Sequence, residues 1–442
     1  MSAELVAPTL ARVQPKREAG LLDTIGGLLL LVRRSLRQHL FSTLITVLST
    51  ALASGLVMAV FSIQKQTLDA FTGGQAGFDA VLGARGSQLQ LVLNSVFHLE
   101  TSPGNIPWAL YEEVRKRPYV ELAVPYAVGD NYYGYRIVGT TEQMFTKFEY
   151  QEGRKFEIQP PGKLFDVTRR EAVVGSFVAQ KMGLTIGAII NPYHGLTFDP
   201  STKHSEEYVI VGIMKPTNSP ADRVIWIPIE GIFRMEGHVL RGTGKTFVPQ
   251  DGQAIPDEHK EVSTVMLKLK SPQAGLMLDS EVNKQGKIAT LAWPIGLVML
   301  DLFNKMGWVN RILELVAYLV VVVAAGSILA SIYNTINERR REFAILRALG
   351  ARKSTVFSAI VLEAATIAAI GSAAGFAVYF AIISAATAVI RSQTGVVLDQ
   401  FMYHPVLWAA PLGMILLGAA AGMVPAIKAY STDVAANIAP TS

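Results

Sequence analysis

The 442-residue sequence contains no cysteine, and only 17% of its residues are charged. Without cysteine no disulfide can staple a domain, so every folded part must be held by its own apolar core. A chain of this length can bury such cores. So little charge, with half the residues hydrophobic, leaves two classes: a large soluble protein with several cores, or a membrane protein. Enzyme signatures are missing as well. His98, His194, His204, His238, His259 and His404 are scattered, with no HExxH and no pair at i, i+4. His194 and His204, which flank a polar loop with Asp199 and Glu206, read as solvated loop histidines, with a metal-handling role as the alternative. "RGTGKT" at 241–246 ends like a phosphate loop, but the required earlier glycine is Val239, so it reads as an ordinary Gly-rich turn. No catalytic, cofactor-binding or metal residue is assigned.

Four long stretches without charge are present. Leu40 to Gln64, Leu315 to Asn337, Ala364 to Ile390 and Pro405 to Ile427 are mainly apolar. At 1.5 Å per residue each can cross a hydrocarbon core of about 30 Å. Ala51-Leu52-Ala53 looks like a leader cleavage site, but the apolar run continues to Ile63 behind a long first segment, which suits an anchor better. Arg33, Arg34 and Arg37 precede the first span, six Arg and Lys between 339 and 353 separate the second from the third, and Lys428 follows the fourth. The loop 391–404 holds one Arg and one Asp. The positive-inside bias therefore puts both termini in the cytoplasm and 65–310 outside.

The outer segment reads as a mixed α/β domain. "EEYVIVGIM" at 206–214, "RVIWIPI" at 223–229 and "STVMLKLK" at 263–270 have the alternating or β-branched pattern of strands. "IPWALYEEVRKRP" at 106–118 and "SPQAGLMLDSEVNK" at 271–284 predict helices. The order suggests an α/β unit interrupted by an inserted β-rich unit at about 146–240. "KQTLDAF" at 65–71 and the segment 296–315 extend the first two spans as stalk helices, with Trp308 as an interfacial anchor. Gly371 and Gly375 form a GxxxG suited to close helix packing. Glu314 and Glu363 lie at span ends, where headgroups or water reach them, and no proton relay is expected.

Between the second and third spans stands "NERRREFAILRALGARKSTVF" at 337–357. A helix starting near Glu338 puts Phe343, Leu346 and Leu349 on one face with Ile345 adjoining, and the Arg cluster around the polar side. Gly350 can end it in the left-handed conformation. Such a helix lies along the inner surface, either as a lever engaged by a partner or as an amphipathic helix resting on anionic lipid. Residues 1–39 are expected to carry a further amphipathic helix.

The segment 336–378, with its basic Arg/Glu cluster, Ala-Leu-Gly-Ala and Leu-Glu before a Gly-containing span, closely resembles the FtsX-like permease domain. "VPAIKAYSTDVAANI" at 424–438 resembles that domain's closing segment, with Val434 where a proline is usual. Residues 169–192 and 206–232 resemble the extracytoplasmic domain of MacB-type ABC permeases. The resemblance implies that the short helix is a coupling helix, with Glu342, Phe343, Ile345, Leu346, Arg347, Leu349 and Gly350 facing a separate ATPase subunit that binds ATP and Mg. It implies a non-catalytic inner-membrane subunit, two ATPase copies, a second permease chain as a homodimer, an adaptor or outer-membrane protein as a further partner, and no nucleic acid. Expected work is mechanotransmission driving export or extraction of amphipathic cargo. The alternatives are regulation of a cell-wall hydrolase and transport of a small solute or metal ion.

Overall fold

The computed structural model describes residues 21–72, 77–236, 238–244 and 255–430. The Lys245–Thr246 end of the Gly-rich turn and the stretch 431–438 of the closing motif lie outside the described residues. The chain divides into two compact units. One joins 59–314 with 380–402; the other joins 1–58, 315–379 and 403–442.

The first unit is built on a sheet. The strand patterns at 206–214, 223–229 and 263–270 form Tyr208–Ile213, Ile225–Pro228 and Thr264–Leu269. Ten strands make one sheet in the order 289–292, 80–84, 264–269, 120–132, 135–140, 225–228, 171–174, 208–213 and 189–190, with 193–194 also pairing on 120–132. The inserted β-rich unit suggested by sequence order joins the α/β unit within this one continuous sheet. The reason is the length of strand Val120–Tyr132: its first part pairs antiparallel with 264–269 and its second part with 135–140. Strand 225–228 then lies parallel to 135–140 and leaves no free edge between the parts.

Both faces are covered over the middle of the sheet, where strands such as Ala80–Ala84 and Ile225–Pro228 are buried at every residue. Leu82, Ile137, Ile225 and Leu267 enter one core with Tyr111 and Val114 of helix Trp108–Arg115. Their neighbours Val81, Val138, Trp226 and Met266 enter the opposite core with Leu91 and Val92 of helix Gln88–Ser95. The helix foreseen at 271–284 is Pro272–Asp279, capped by the Ser271 side chain accepting from the Ala274 N–H, and continues as a wider π-helical turn.

Among the described residues, four helices are long and apolar enough to cross a membrane: Leu40–Thr72, Gly307–Glu338, Lys353–Thr394 and Val406–Tyr430. The first runs unbroken through the expected 65–71 extension. The extension before the second is helical over Ile295–Lys305, but it breaks at Met306, so no single rod covers 296–338. Small residues set the helix spacing in the second unit. A Cβ on Gly55 would stand 2.6 Å from the Gly375 carbonyl oxygen, and one on Gly371 2.5 Å from Thr50 Cβ. The GxxxG of the third span therefore receives the first span's backbone at close range.

Candidate functional site

The basic segment after the second span folds as helix Arg340–Ala348, with Arg339 at its N-cap and Leu349 at its C-cap. Its end is a Schellman motif: the Ala351 N–H reaches the Leu346 carbonyl and the Gly350 N–H the Arg347 carbonyl, each at 3.0 Å. Gly350 supplies φ +99°, a conformation that side-chain-bearing residues resist. The apolar residues do not form one outward face. Phe343 packs against the cluster of Ile332, Ile336, Val356 and Ile360 from the neighbouring helices. Leu346 and Arg347 are half-buried, and Glu342 is exposed. Ile345 and Leu349 are 45% and 79% exposed and present the apolar surface available to a partner.

Arg339 departs from its expected place. The sequence groups it with Arg340 and Arg341 on the polar side, yet it is buried, its Nη1 donating to Ser35 Oγ at 2.7 Å and standing 3.7 Å from Glu363 Oε2. Ser35 Oγ in turn donates to Glu363 Oε1 at 2.5 Å. Glu363 is thus buried against a cation, contrary to the expectation that water or headgroups would solvate it. Arg339 also bonds Glu342 through Nε at 3.0 Å and lies over the Phe343 ring. These contacts tie the base of the short helix to helix Leu21–Gln38 and to the third span.

A second constellation lies in the sheet unit. The ring nitrogens of His204, His238 and His194 stand 3.1, 3.3 and 3.4 Å from Asp130 Oδ1. Asp130 is fully buried, and its Oδ2 has no hydrogen-bond partner. Burial disfavours its charge, but hydrogen bonds from the three imidazoles outweigh that and hold the carboxyl below the usual range. The bond to Asp130 raises the His194 imidazole pKa, against partial burial. The reading of solvated loop histidines is therefore corrected for His204, which is buried beside the half-buried His238. Asp199 and Glu206 are not the partners: Asp199 accepts from Ser201, and Glu206 accepts from the Glu236 backbone.

The local fold explains the convergence. Strand 120–132 shifts register between Val128 and Asp130, a bulge that re-aims the carboxylate. Asp130 pairs across the ladder with His194 of strand 193–194. Asn131 donates to the carbonyls of Tyr193, Gly195 and Thr197, so the loop returning to His204 is fastened beside it. His238 arrives from the turn after helix Ile229–Phe233. Sequence spacing missed Asp130 and His238 because the ladder and this turn bring them in from distant segments. Elsewhere in the same unit an apolar cavity of about 620 Å³ is lined by Phe71, Phe97, Tyr126, Phe148, Trp226 and Trp293.

Residues 43–283, more than half of the chain, match the family described as MacB-like periplasmic core domain. Residues 314–434 match the FtsX-like permease C-terminal family. No curated protein sequence matches the chain. Among solved structures, the periplasmic region of MacB from Actinobacillus actinomycetemcomitans is 10% identical, with a TM-score of 0.32, 52% of this chain covered and 95% of that one. The extracellular domain of the noncanonic ABC-type transporter YknZ from Gram-positive bacteria is 14% identical, with a TM-score of 0.27, 48% of this chain covered and 97% of that one. Four membrane-length helices and a mixed α/β domain between the first two agree with the family matches. The chain belongs to the MacB/FtsX-type family of ABC transporter permeases.

Proposed function

We propose that this permease couples ATP hydrolysis in a separate ATPase subunit to mechanical work on amphipathic cargo outside the membrane, as a homodimer with two ATPase copies. The observation that carries the reading is the helix Arg340–Ala348, which displays Ile345 and Leu349 while its base is fastened to helix Leu21–Gln38 and the third span through Arg339. Force applied to those two side chains is delivered to the helices that hold Ser35 and Glu363. ATP and Mg are assigned to the partner, in keeping with a permease chain of this family. Among the described residues, the apolar stretches of the spans present no chain of charged side chains suited to an aqueous path, which favours mechanotransmission over a pore. The aromatic-lined cavity suits a lipid-like, peptide or drug-like cargo. A metal-handling permease is the second reading, favoured by the Asp130 cluster.

Coexpression with the cognate ATPase tests the lever. Leu349→Ala removes exposed apolar surface worth on the order of 1.5 to 3 kcal/mol when buried by a partner, so association weakens about ten- to a hundredfold with the unfolding temperature unchanged. Phe343→Ala lowers thermal stability instead, because that ring packs within the chain. Unaltered ATPase binding in both Leu349→Ala and Ile345→Ala would leave the helix as a lipid anchor and sink the lever.

A further inference from the structure

The geometry points to a divalent transition-metal site of the zinc class in the sheet unit, formed by Asp130, His194, His204 and His238. It goes beyond the permease reading and stands whether or not the short helix engages an ATPase. One oxygen and three imidazole nitrogens from three separate segments all lie within 4.8 Å of one another. A tetrahedral zinc ion with bonds of about 2.0 to 2.2 Å sets its ligand atoms about 3.3 Å apart. The three distances from Asp130 Oδ1, 3.1 to 3.4 Å, match that edge. The nitrogens lie within 4.8 Å of one another.

Chemistry narrows the ligand. Three imidazoles with a single carboxylate suit zinc and its first-row neighbours, whereas calcium and magnesium call for mostly oxygen donors. The site is held before any cation arrives. Asp130 is fixed by the bulged strand, and the loop bearing His194 is fastened by Asn131 and by Thr202, whose Oγ1 donates to the His194 carbonyl at 3.1 Å. The His204 N–H reaches the Pro192 carbonyl at 2.9 Å, and Glu206 joins the His204 segment to the turn carrying His238. Such outer contacts orient ligands as they do in established metal centres. The unpartnered Asp130 Oδ2 is a buried polar atom that the protein alone leaves unsatisfied. His194, with 57% of its side chain exposed, opens the site to solvent and provides the route for exchange.

The test uses the full-length chain in detergent, purified without a polyhistidine tag and stripped with chelator. Titration with Zn²⁺ against a chromophoric competitor is expected to give one ion per chain at micromolar or lower Kd, with no comparable uptake of Mg²⁺ or Ca²⁺. Co²⁺ should show the intense visible bands of a four-coordinate site, a readout needing no variant. His204→Ala and His194→Ala should each weaken Zn²⁺ binding at least a hundredfold, while His259→Ala leaves it unchanged. His194→Ala is the safeguard against misfolding, since that ring is largely exposed; loss of binding there with an unchanged melting curve supports the site. Absence of stoichiometric Zn²⁺ binding to the wild-type chain, an octahedral Co²⁺ spectrum, or full binding by the His194→Ala, His204→Ala, His238→Ala triple variant overturns it.

Discussion

At the scale of single residues, the base of the short helix depends on one buried cation. Arg339 lies among Ser35, Glu342, Glu363 and the Phe343 ring, and removing one partner of a buried ion pair leaves the other desolvated without compensation. Arg339→Ala or Glu363→Ala is therefore expected to cost about 3 to 5 kcal/mol, read from denaturant unfolding of the purified protein. The double change Arg339→Met, Glu363→Met should recover most of that loss, because no charge is then left unpaired. Arg340→Ala, at an exposed position, should stay within about 0.5 kcal/mol. Equal effects of Arg339→Ala and Arg340→Ala would return both to the lipid-facing role suggested by the Arg run. The sequence shows three adjacent arginines and no difference among them. What separates Arg339 is contact with Ser35, 304 positions away, and with Glu363 on another helix. Asp130 is the same case: its charge is ordinary in the sequence, and its meaning appears only when a ladder and two loops bring three histidines to it.

At the scale of elements, periodicity and length were informative where a pattern is local. The four apolar helices, the strands at 208–213, 225–228 and 264–269, and the glycine end of the basic helix are all set by near neighbours in the chain. The continuous sheet was not legible, because an insert placed beside a strand and an insert forming a separate body share the same local alternation. The break at Met306 was hidden for a similar reason: apolar spacing persists across a helix end that only backbone geometry reveals. Gly371 and Gly375 announced close packing without naming the partner, which is the first span around Thr50 to Gly55. Gly371→Val should accordingly push those helices apart, costing about 1 to 3 kcal/mol in thermal or denaturant unfolding. Gly326→Val in the second span, where an added Cβ meets nothing within 4 Å, is the matched control. Similar losses from both would mean that valine in a span helix is itself the cause and that the first and third spans do not rely on backbone proximity.

At the scale of the whole molecule, orientation rests on charge asymmetry, because helices of this length and apolarity span a membrane equally well in either direction. The proposed arrangement puts the sheet unit outside and the basic helix inside, so that ATP-driven force and cargo lie on opposite sides. Single cysteines can test this cleanly in a chain that has none of its own. Lys287 and Ser354 are both exposed on the protein surface, so burial does not distinguish them and only the membrane can. In cells whose outer envelope is opened and whose inner membrane is sealed, Lys287→Cys should react with a membrane-impermeant thiol reagent. Ser354→Cys should react only after detergent or permeabilisation of the inner membrane. The reverse pattern would place the Asp130 cluster in the cytoplasm and the short helix outside, away from any cytosolic ATPase. The lever would then have no source of work, while the zinc-class site, defined by its own ligand atoms, would stand and face the cytosolic metal pool instead.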